Sequence, residues 1–413
     1  MIDRPLRFCM ITTFYPPYNF GGDGVFVQHL SNELARRGHH VEVIHCIDAY
    51  RILARQKPLR TYQDHPNVTV HGLRSSFGFL SPLATHQTGF PLFKSAHIQK
   101  ILEKGFDVIH YHNISLFGPK ILEYGKGIKL YTMHEYWLGC PTHILFKFNR
   151  SPCTQPLCFF CSLTYKRPPQ WWRYLPLLKV MVKYVDAFIA LSQFSKDIHD
   201  QMGLALPIVH IPGFVPNQET APSNPNPSID RISGEPYFLF VGRLKKLKGL
   251  QTLLPVFRQY RKAKLLIAGT GEDKPSLQRL AEGMVNIQFL GYLSGPKLEA
   301  LYRSAIALIV PSICFESFPL VILEAFRTQT PVIVRNLGGM PESIRESGGG
   351  FVYDTEEELI AAMDKLLEDP SSRRELGLRG YQAYQRNWTD EVHLKRYLGL
   401  IHDIAMKRGQ TLE

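Results

Sequence analysis

Arg243 and Lys248 stand in the segment V-G-R-L-K-K-L-K-G at 241–249, between an apolar run and a helical pattern. Two cations at the carboxyl end of a strand can hold a pyrophosphate. The plain alternative is a solvated basic turn, which suits Lys245 and Lys246. Farther on, F-E-S-F-P-L-V-I-L-E at 315–324 places Glu316 and Glu324 eight residues apart. Pro319 fits the first turn of a helix. The backbone N–H groups of Phe318 and Leu320 would then face an anion, since Pro319 has none. Carboxylates beside that helix end can take sugar hydroxyls. A capping acid followed by an exposed helical acid is the competing explanation.

The first half of the chain offers glycines and histidines. Gly21 and Gly22, with Gly24, precede a helical pattern, so backbone could approach a ligand at a helix N-terminus. A tight turn explains the pair equally simply. D-V-I-H-Y-H-N at 107–113 and M-H-E-Y-W at 133–137 end two apolar runs. A histidine at a strand's carboxyl end is well placed for a site, whereas a lone histidine elsewhere is usually structural. His134 is a candidate site residue on that ground.

Seven cysteines fall into two groups. Cys9, Cys46 and Cys314 lie in apolar surroundings and read as small buried hydrophobes. Cys140, Cys153, Cys158 and Cys161 follow the spacing C-x12-C-x4-C-x2-C, in a stretch with little periodicity (138–165). In a reducing compartment this clustering points to a metal, with structural zinc first and an iron–sulfur cluster or free thiols as alternatives. Downstream, Trp171, Trp172 and Tyr174 sit among Lys166, Arg167, Arg173, Lys179 and Lys183, with no acid before Asp186. That is the composition of a segment lying on an anionic membrane surface. An amphipathic helix packed on a sheet, with Val180, Met181, Tyr184 and Val185 inward, is the alternative.

Two stretches of alternating strand and helix patterns must position these groups. In the first, 6–12, 41–46, 68–73, 108–111, 130–133 and 187–191 read as strands, with a helix from 25 to 37. In the second, 238–241, 264–268, 287–290, 307–310 and 331–334 read as strands, with helices between them. Short apolar strands alternating with helices imply parallel α/β sheets. Residues 216–236 have a linker composition rich in Pro, Ser and Asn, and 356–407 reads as three helices. The 413 residues suffice for two domains at about 150 residues each. With 45% apolar and 20% charged residues, the chain is neither disordered nor collagenous. No apolar run reaches the ~18 residues of a spanning helix, and 1–11 lacks a signal-peptide pattern, so a cytoplasmic location is expected. The net charge of +12 asks for an anionic partner. Residues 51–200 carry nearly all of it, with 19 Lys and Arg against 8 Asp and Glu.

The motifs V-G-R-L-K-K-L-K-G, L-L-I-A-G-T-G-E (265–272), F-L-G-Y (289–292), E-S-F-P-L-V-I-L-E and G-G-M-P-E (338–342) occur in an order that resembles the group 1 glycosyltransferases, retaining enzymes of the GT-B fold. The resemblance runs to about residue 390. It implies two doubly wound Rossmann-like domains facing across a cleft. The first, 1–215, would bind the acceptor and carry the insertion 138–165. The second, 237–390, would bind a nucleotide-sugar donor, and a helix in 391–413 would pack back on the first. The resemblance implies that Arg243 and Lys248 bind the donor diphosphate, Glu324 the ribose and Glu316 the donor sugar. Gly21 and Gly22 would close over the phosphates. Gly269, Gly271, Gly291 and Tyr292 would shape the base pocket, and His112 would face the sugar while His110 packs. No metal is implied for catalysis. Front-face transfer is the expected mechanism, with Glu316 as nucleophile left open as its rival. The family's usual Asn is missing from I-P-G-F-V at 211–215, which bears on hinge geometry.

The expected acceptor is a glycan or lipid-linked sugar, as in surface polysaccharide or glycolipid synthesis, with contact at the inner membrane face through Trp171 and Trp172. A phosphorylase or sugar-nucleotide epimerase on the same fold lacks this combination of motifs. A nucleic-acid-binding protein would need a recognised reader fold, and none is visible.

Overall fold

The structure, a computed structural model, describes residues 4–54, 58, 62–217 and 235–410. Most of the linker expected at 216–236 lies outside the described residues. The chain forms two compact units: Met1–Pro216 with Asp390–Glu413, and Asn217–Thr389.

The first unit is built on a seven-stranded sheet. Its strands are β1 (Arg7–Ile11), β2 (His40–Cys46), β3 (Val68–Leu73), β4 (Val108–Tyr111), β5 (Ile128–Met133), β8 (Ala187–Ala190) and β9 (Ile208–His210), with a small antiparallel hairpin of β6 (Phe146–Lys147) and β7 (Ser151–Pro152) set apart from it. The sheet order is β3-β2-β1-β4-β5-β8-β9, and every neighbouring pair is parallel. The central strands β4 and β5 are buried at every position, which is why they read as largely apolar segments, interrupted by His110 and by Lys129 and Thr132, rather than alternating ones. The helix Gly22–Arg36 buries Phe26, Val27, Leu30 and Leu34, a stripe at helical spacing. It begins before the expected Val25 because Gly21 is extended and the glycines enter the first turn.

The last helix, Asp390–Lys407, belongs to this unit. Tyr397 is buried, stacks near His110 (5.3 Å between centroids) and shares a hydrogen bond with its Nδ1 (2.9 Å). His393 donates from Nδ1 to the Pro212 carbonyl (2.8 Å) and stacks on Phe214. The loop lacking the family's Asn is thus held by this helix.

The second unit has six parallel strands: β10 (Tyr237–Val241), β11 (Lys264–Ala268), β12 (Ile287–Gly291), β13 (Leu308–Val310), β14 (Val332–Arg335) and β15 (Gly350–Tyr353). Their order is β12-β11-β10-β13-β14-β15. Local chemistry fixes the helices that close it. Thr355 and Glu358 form a capping box on Glu356–Glu368, and Asp369 caps Pro370–Asn387. Strands β9 and β15 escaped the sequence reading because each is a short edge strand with partial burial.

Both sheets share one topology. The strand order reverses between β1 and β4 in the first and between β10 and β13 in the second. Loops leaving the carboxyl ends of those strands diverge and leave a crevice, the usual ligand position in such sheets. No helix among the described residues is long and apolar enough to cross a membrane.

Candidate active site

In the second unit the loops after β10 and β13 are stitched together. Ile313 N–H donates to the Leu247 carbonyl (2.9 Å). Gly249 has φ +74°, and a Cβ there would lie 1.8 Å from the Pro311 carbonyl oxygen. Only glycine lets the chain pass so close while turning left-handed. The result brings Lys248 to Glu316: Nζ donates to Oε1 at 2.6 Å, and Ser312 Oγ donates to the same oxygen at 2.8 Å. Burial pushes the Glu316 carboxyl up, but Lys248, Ser312 and Arg243 outweigh it and hold it below its ordinary range. Lys248 and Glu316 were assigned separate ligand groups in the sequence reading, and in the structure they are each other's partner. Arg243 is exposed, with no ion pair among the described residues.

Glu324 sits on the second turn of the helix Leu320–Arg327. Tyr302 donates to its Oε2 (2.8 Å). Burial raises its carboxyl, and Tyr302 and Arg327 offset that only in part. Phe318 and Pro319 lead into this helix and Leu320 opens it. The neighbouring Ser317 Oγ is buried without a hydrogen-bond partner among the described residues. At the next crevice wall, Gly269 has φ +152° and a Cβ there would meet the Gly242 carbonyl oxygen at 1.9 Å. Gly271 approaches Leu244 in the same way. Gly269 N–H donates to Gly291 (2.7 Å), and Tyr292 is exposed beside it. These glycines serve close backbone packing of the loops around Arg243.

Ser312 and Tyr302 were missed by the sequence reading. Ser312 had a signal, a polar residue two positions after a strand at the switch point. Tyr302 had none, because its hydroxyl reaches Glu324 from another helix.

In the first unit, the β1–β4 crevice holds imidazoles. His112 Nδ1 and His134 Nε2 share a hydrogen bond (3.0 Å). Burial lowers both, aided for His112 by His110, His134 and His393; His134 falls to about 4. Both are neutral at pH 7. His112 Nε2 is buried without a partner among the described residues. His110 is packed, with its ring nitrogens on Thr132 Oγ1 and Tyr397. Asn113 donates to Asp23 (3.2 Å), tying the Gly21–Gly22 loop to the end of β4.

Residues 226–383 match the family described as Glycosyl transferases group 1, and residues 20–219 match Glycosyltransferase Family 4. A D-inositol 3-phosphate glycosyltransferase of Pseudarthrobacter chlorophenolicus is 30% identical over 401 residues, 91% of this chain and 90% of that protein. The chain belongs to the group 1 glycosyltransferases. An uncharacterized glycosyltransferase of Methanocaldococcus jannaschii is 37% identical over 150 residues, 34% of this chain, and the match spans 38% of that relative's length. Among solved structures, sucrose-phosphate synthase from Thermosynechococcus elongatus has a TM-score of 0.75 at 20% identity, covering 97% of this chain and 100% of that one. HepE of Anabaena in complex with UDP has 0.66 at 16% identity, covering 96% and 100%. These structures share the GT-B fold with this glycosyltransferase.

Outside the crevices, this glycosyltransferase departs from the sequence reading at one aromatic. Trp172 is 2% exposed, and its indole N–H donates to the His86 carbonyl (3.1 Å), so it is core and not a surface contact. Trp171 is 58% exposed and Tyr174 60%. Of the proposed inward face, Met181 and Val185 are buried while Val180 and Tyr184 are exposed. The reason is helix length: Leu177–Met181 is one short helix followed by a 3-10 turn, so the periodicity breaks. Cys140, Cys153, Cys158 and Cys161 gather in one place, reduced, although no group of three or more His, Cys, Asp or Glu among the described residues is set as a metal centre.

Proposed function

We propose that this glycosyltransferase is a retaining enzyme that moves a hexosyl group from a nucleotide-sugar donor to a glycan or lipid-linked acceptor. The observation that carries the reading is the Lys248–Glu316–Ser312 group beside Arg243 at the β10–β13 switch point. Arg243 and Lys248 bind the diphosphate and stabilise the charge that grows on it as the anomeric bond breaks. Glu324 accepts from the ribose. The UDP bound to HepE, a relative in fold, supports a nucleotide donor.

In the front-face route the acceptor oxygen bonds to the anomeric carbon on the side from which the nucleoside diphosphate departs. The acceptor proton passes to the leaving phosphate oxygen. Glu316, with one oxygen held by both Lys248 and Ser312, is a weak nucleophile, which favours this route over a covalent intermediate. Glu316 then orients sugar hydroxyls. His112 and His134 act on the acceptor-binding unit as neutral hydrogen-bonding groups.

A thermal-shift panel of UDP-, GDP- and ADP-sugars tests the donor site. One nucleotide class stabilises the wild type, and Arg243→Ala lowers its affinity by about tenfold or more. No stabilisation by any of them would remove the donor reading. The exposed Trp171 and Tyr174, near Lys166, Arg167, Lys179 and Lys183, support an acceptor presented on an anionic membrane. Flotation with phosphatidylglycerol vesicles should fall in Trp171→Ala/Tyr174→Ala, and equal flotation would reject the membrane contact.

A further inference from the structure

The loop carrying Cys140, Cys153, Cys158 and Cys161 supplies none of the residues proposed for the donor site, yet it concentrates unusual backbone among the described residues. Seven non-glycine residues among those described have positive φ; four of them fall here, His143, Leu145, Phe148 and Asn149, and a fifth, Lys166, follows directly. Such conformations cost free energy and persist where surrounding structure over-determines them. The loop's own regular structure is slight, a hairpin of two-residue strands and the seven-residue helix Cys158–Thr164. Hydrophobic packing supplies only part of the rest: Leu138 and Phe146 are buried, but Leu157, Phe160 and Leu163 face outward.

The four thiols supply a better anchor. All four line a single cavity of about 20 Å³, with Phe146 and Leu157 among its walls. Two sulfurs already have polar neighbours: Phe148 N–H donates to Cys161 Sγ (3.4 Å), and Thr142 Oγ1 lies 3.2 Å from Cys140 Sγ. Peptide N–H groups aimed at sulfur favour the thiolate.

The charge balance points the same way. Arg173 donates to the Trp137 and Leu138 carbonyls and to Gln170, and lies over the Trp137 and Trp172 rings. No carboxylate pairs with it among the described residues. It lines a larger cavity of about 300 Å³ together with Cys158. A half-buried cation without an acid needs a counter-charge, and Lys147 adds a second cation at the thiol cavity.

We propose that Cys140, Cys153, Cys158 and Cys161 are the four ligands of a structural zinc(II) ion. Each thiol loses its proton as its sulfur–zinc bond forms, and the four protons leave to solvent. Two positive charges with four thiolates leave a net charge of −2, which Arg173 and Lys147 face. Because the side chains are not already set as a coordination shell, the sulfurs rotate inward around the ion. Four protein ligands fill a tetrahedral site, so the metal holds structure and binds no substrate. What it holds is adjacent to His134. Cys140 N–H donates to the Tyr136 carbonyl (2.8 Å), Tyr136 N–H donates to the His143 carbonyl (3.0 Å), and His143 shares a hydrogen bond with Glu135 (2.8 Å).

Elemental analysis of the full chain, purified without chelator or histidine tag, tests this. About one zinc per chain is expected, released by an organomercurial as four thiols react. Cys153→Ser/Cys158→Ser should lose the zinc, with hydrogen exchange rising in peptides 138–166 while peptides of the second unit stay unchanged. If that variant does not fold, mercurial release from the wild type, followed with a zinc-chelating dye, still decides. A zinc-free wild type with all four thiols reactive would overturn the proposal. So would iron with a visible absorption band, or disulfides between these cysteines by mass spectrometry.

Discussion

The two units answer the same topological question with opposite electrostatics. Each has a parallel sheet whose strand order reverses once, and each gathers its polar residues at that point. In the first unit the crevice is filled by neutral imidazoles, His112 on His134, packed with Phe26 and His393. In the second it holds an ion pair, Lys248 on Glu316, with Arg243 exposed nearby. Neutral rings avoid the cost of burying charge and can trade hydrogen bonds with hydroxyls. They cannot hold a diphosphate. Cations can, and Glu316 keeps Lys248 placed before any ligand arrives. Topology therefore sets where a ligand goes, and the residues after two strands set which ligand.

The largest effect should come from breaking the ion pair. Lys248→Ala leaves Glu316 mostly buried, with Ser312 as its remaining close donor. Removing one partner of a buried pair costs about 3–5 kcal/mol, and the lower end suits a lysine with 29% of its side chain exposed. Sugar transfer should fall about 100-fold or more, as for loss of a transition-state donor. Hydrogen exchange should rise in peptides of the second unit alone. Adding Glu316→Gln should recover most of the protection and none of the turnover. Wild-type exchange and turnover in the single variant would break the contrast between the units.

Acid should separate the units next. Burial lowers His112, His134 and His393, the last two to about 4. A folded-state pKa below the unfolded value of about 6.5 means the unfolded state binds more protons. The stability these groups contribute is present above pH 6.5 and is lost as pH falls towards 4. In the second unit Glu316 is also lowered, but from the carboxylate range, so its contribution is lost only below about pH 4.5. Glu324 is raised and acts in the opposite sense: its contribution is present at low pH and lost as pH rises through its folded value. The first unit should thus open first between pH 6.5 and 5, by about tenfold per pH unit for each proton taken up. Exchange mass spectrometry across that range, corrected for intrinsic rates, reads each unit separately. Earlier opening of the second unit would reverse the comparison.

The sequence made the scaffold legible because parallel strands buried on both faces are near-continuous apolar runs, as β10 and β13 are. It also marked Arg243, Lys248, Glu316 and Glu324, which stand in the motif segments that follow β10 and β13. Pairing was harder to read. Nothing in the spacing of Lys248 and Glu316, 68 residues apart, says that they touch; Gly249 passing under Pro311 decides it. Trp172 misled because composition treats adjacent tryptophans alike, whereas a short 3-10 turn sends one inward and the other out. The cysteine loop showed its cysteine spacing and hid its shape, since left-handed residues such as Leu145 and Phe148 leave no periodic trace.

The smallest test concerns Tyr302, which links a helix without motif residues to Glu324. Tyr302→Phe keeps the ring and removes one hydrogen bond of 2.8 Å, worth about 1 kcal/mol. Donor affinity at pH 7 should weaken about fivefold by that energy. The hydroxyl also helps keep the Glu324 carboxyl ionised against burial. Without it the carboxyl rises further and takes up a proton at a higher pH. Nucleotide-sugar affinity of the variant should therefore decline more steeply from pH 7 to 6 than that of the wild type. Calorimetric titrations at the two pH values measure the difference. Parallel declines would mean that Glu324 does not touch the ribose as a carboxylate, and the ion pair alone would then distinguish the second unit's crevice from the first.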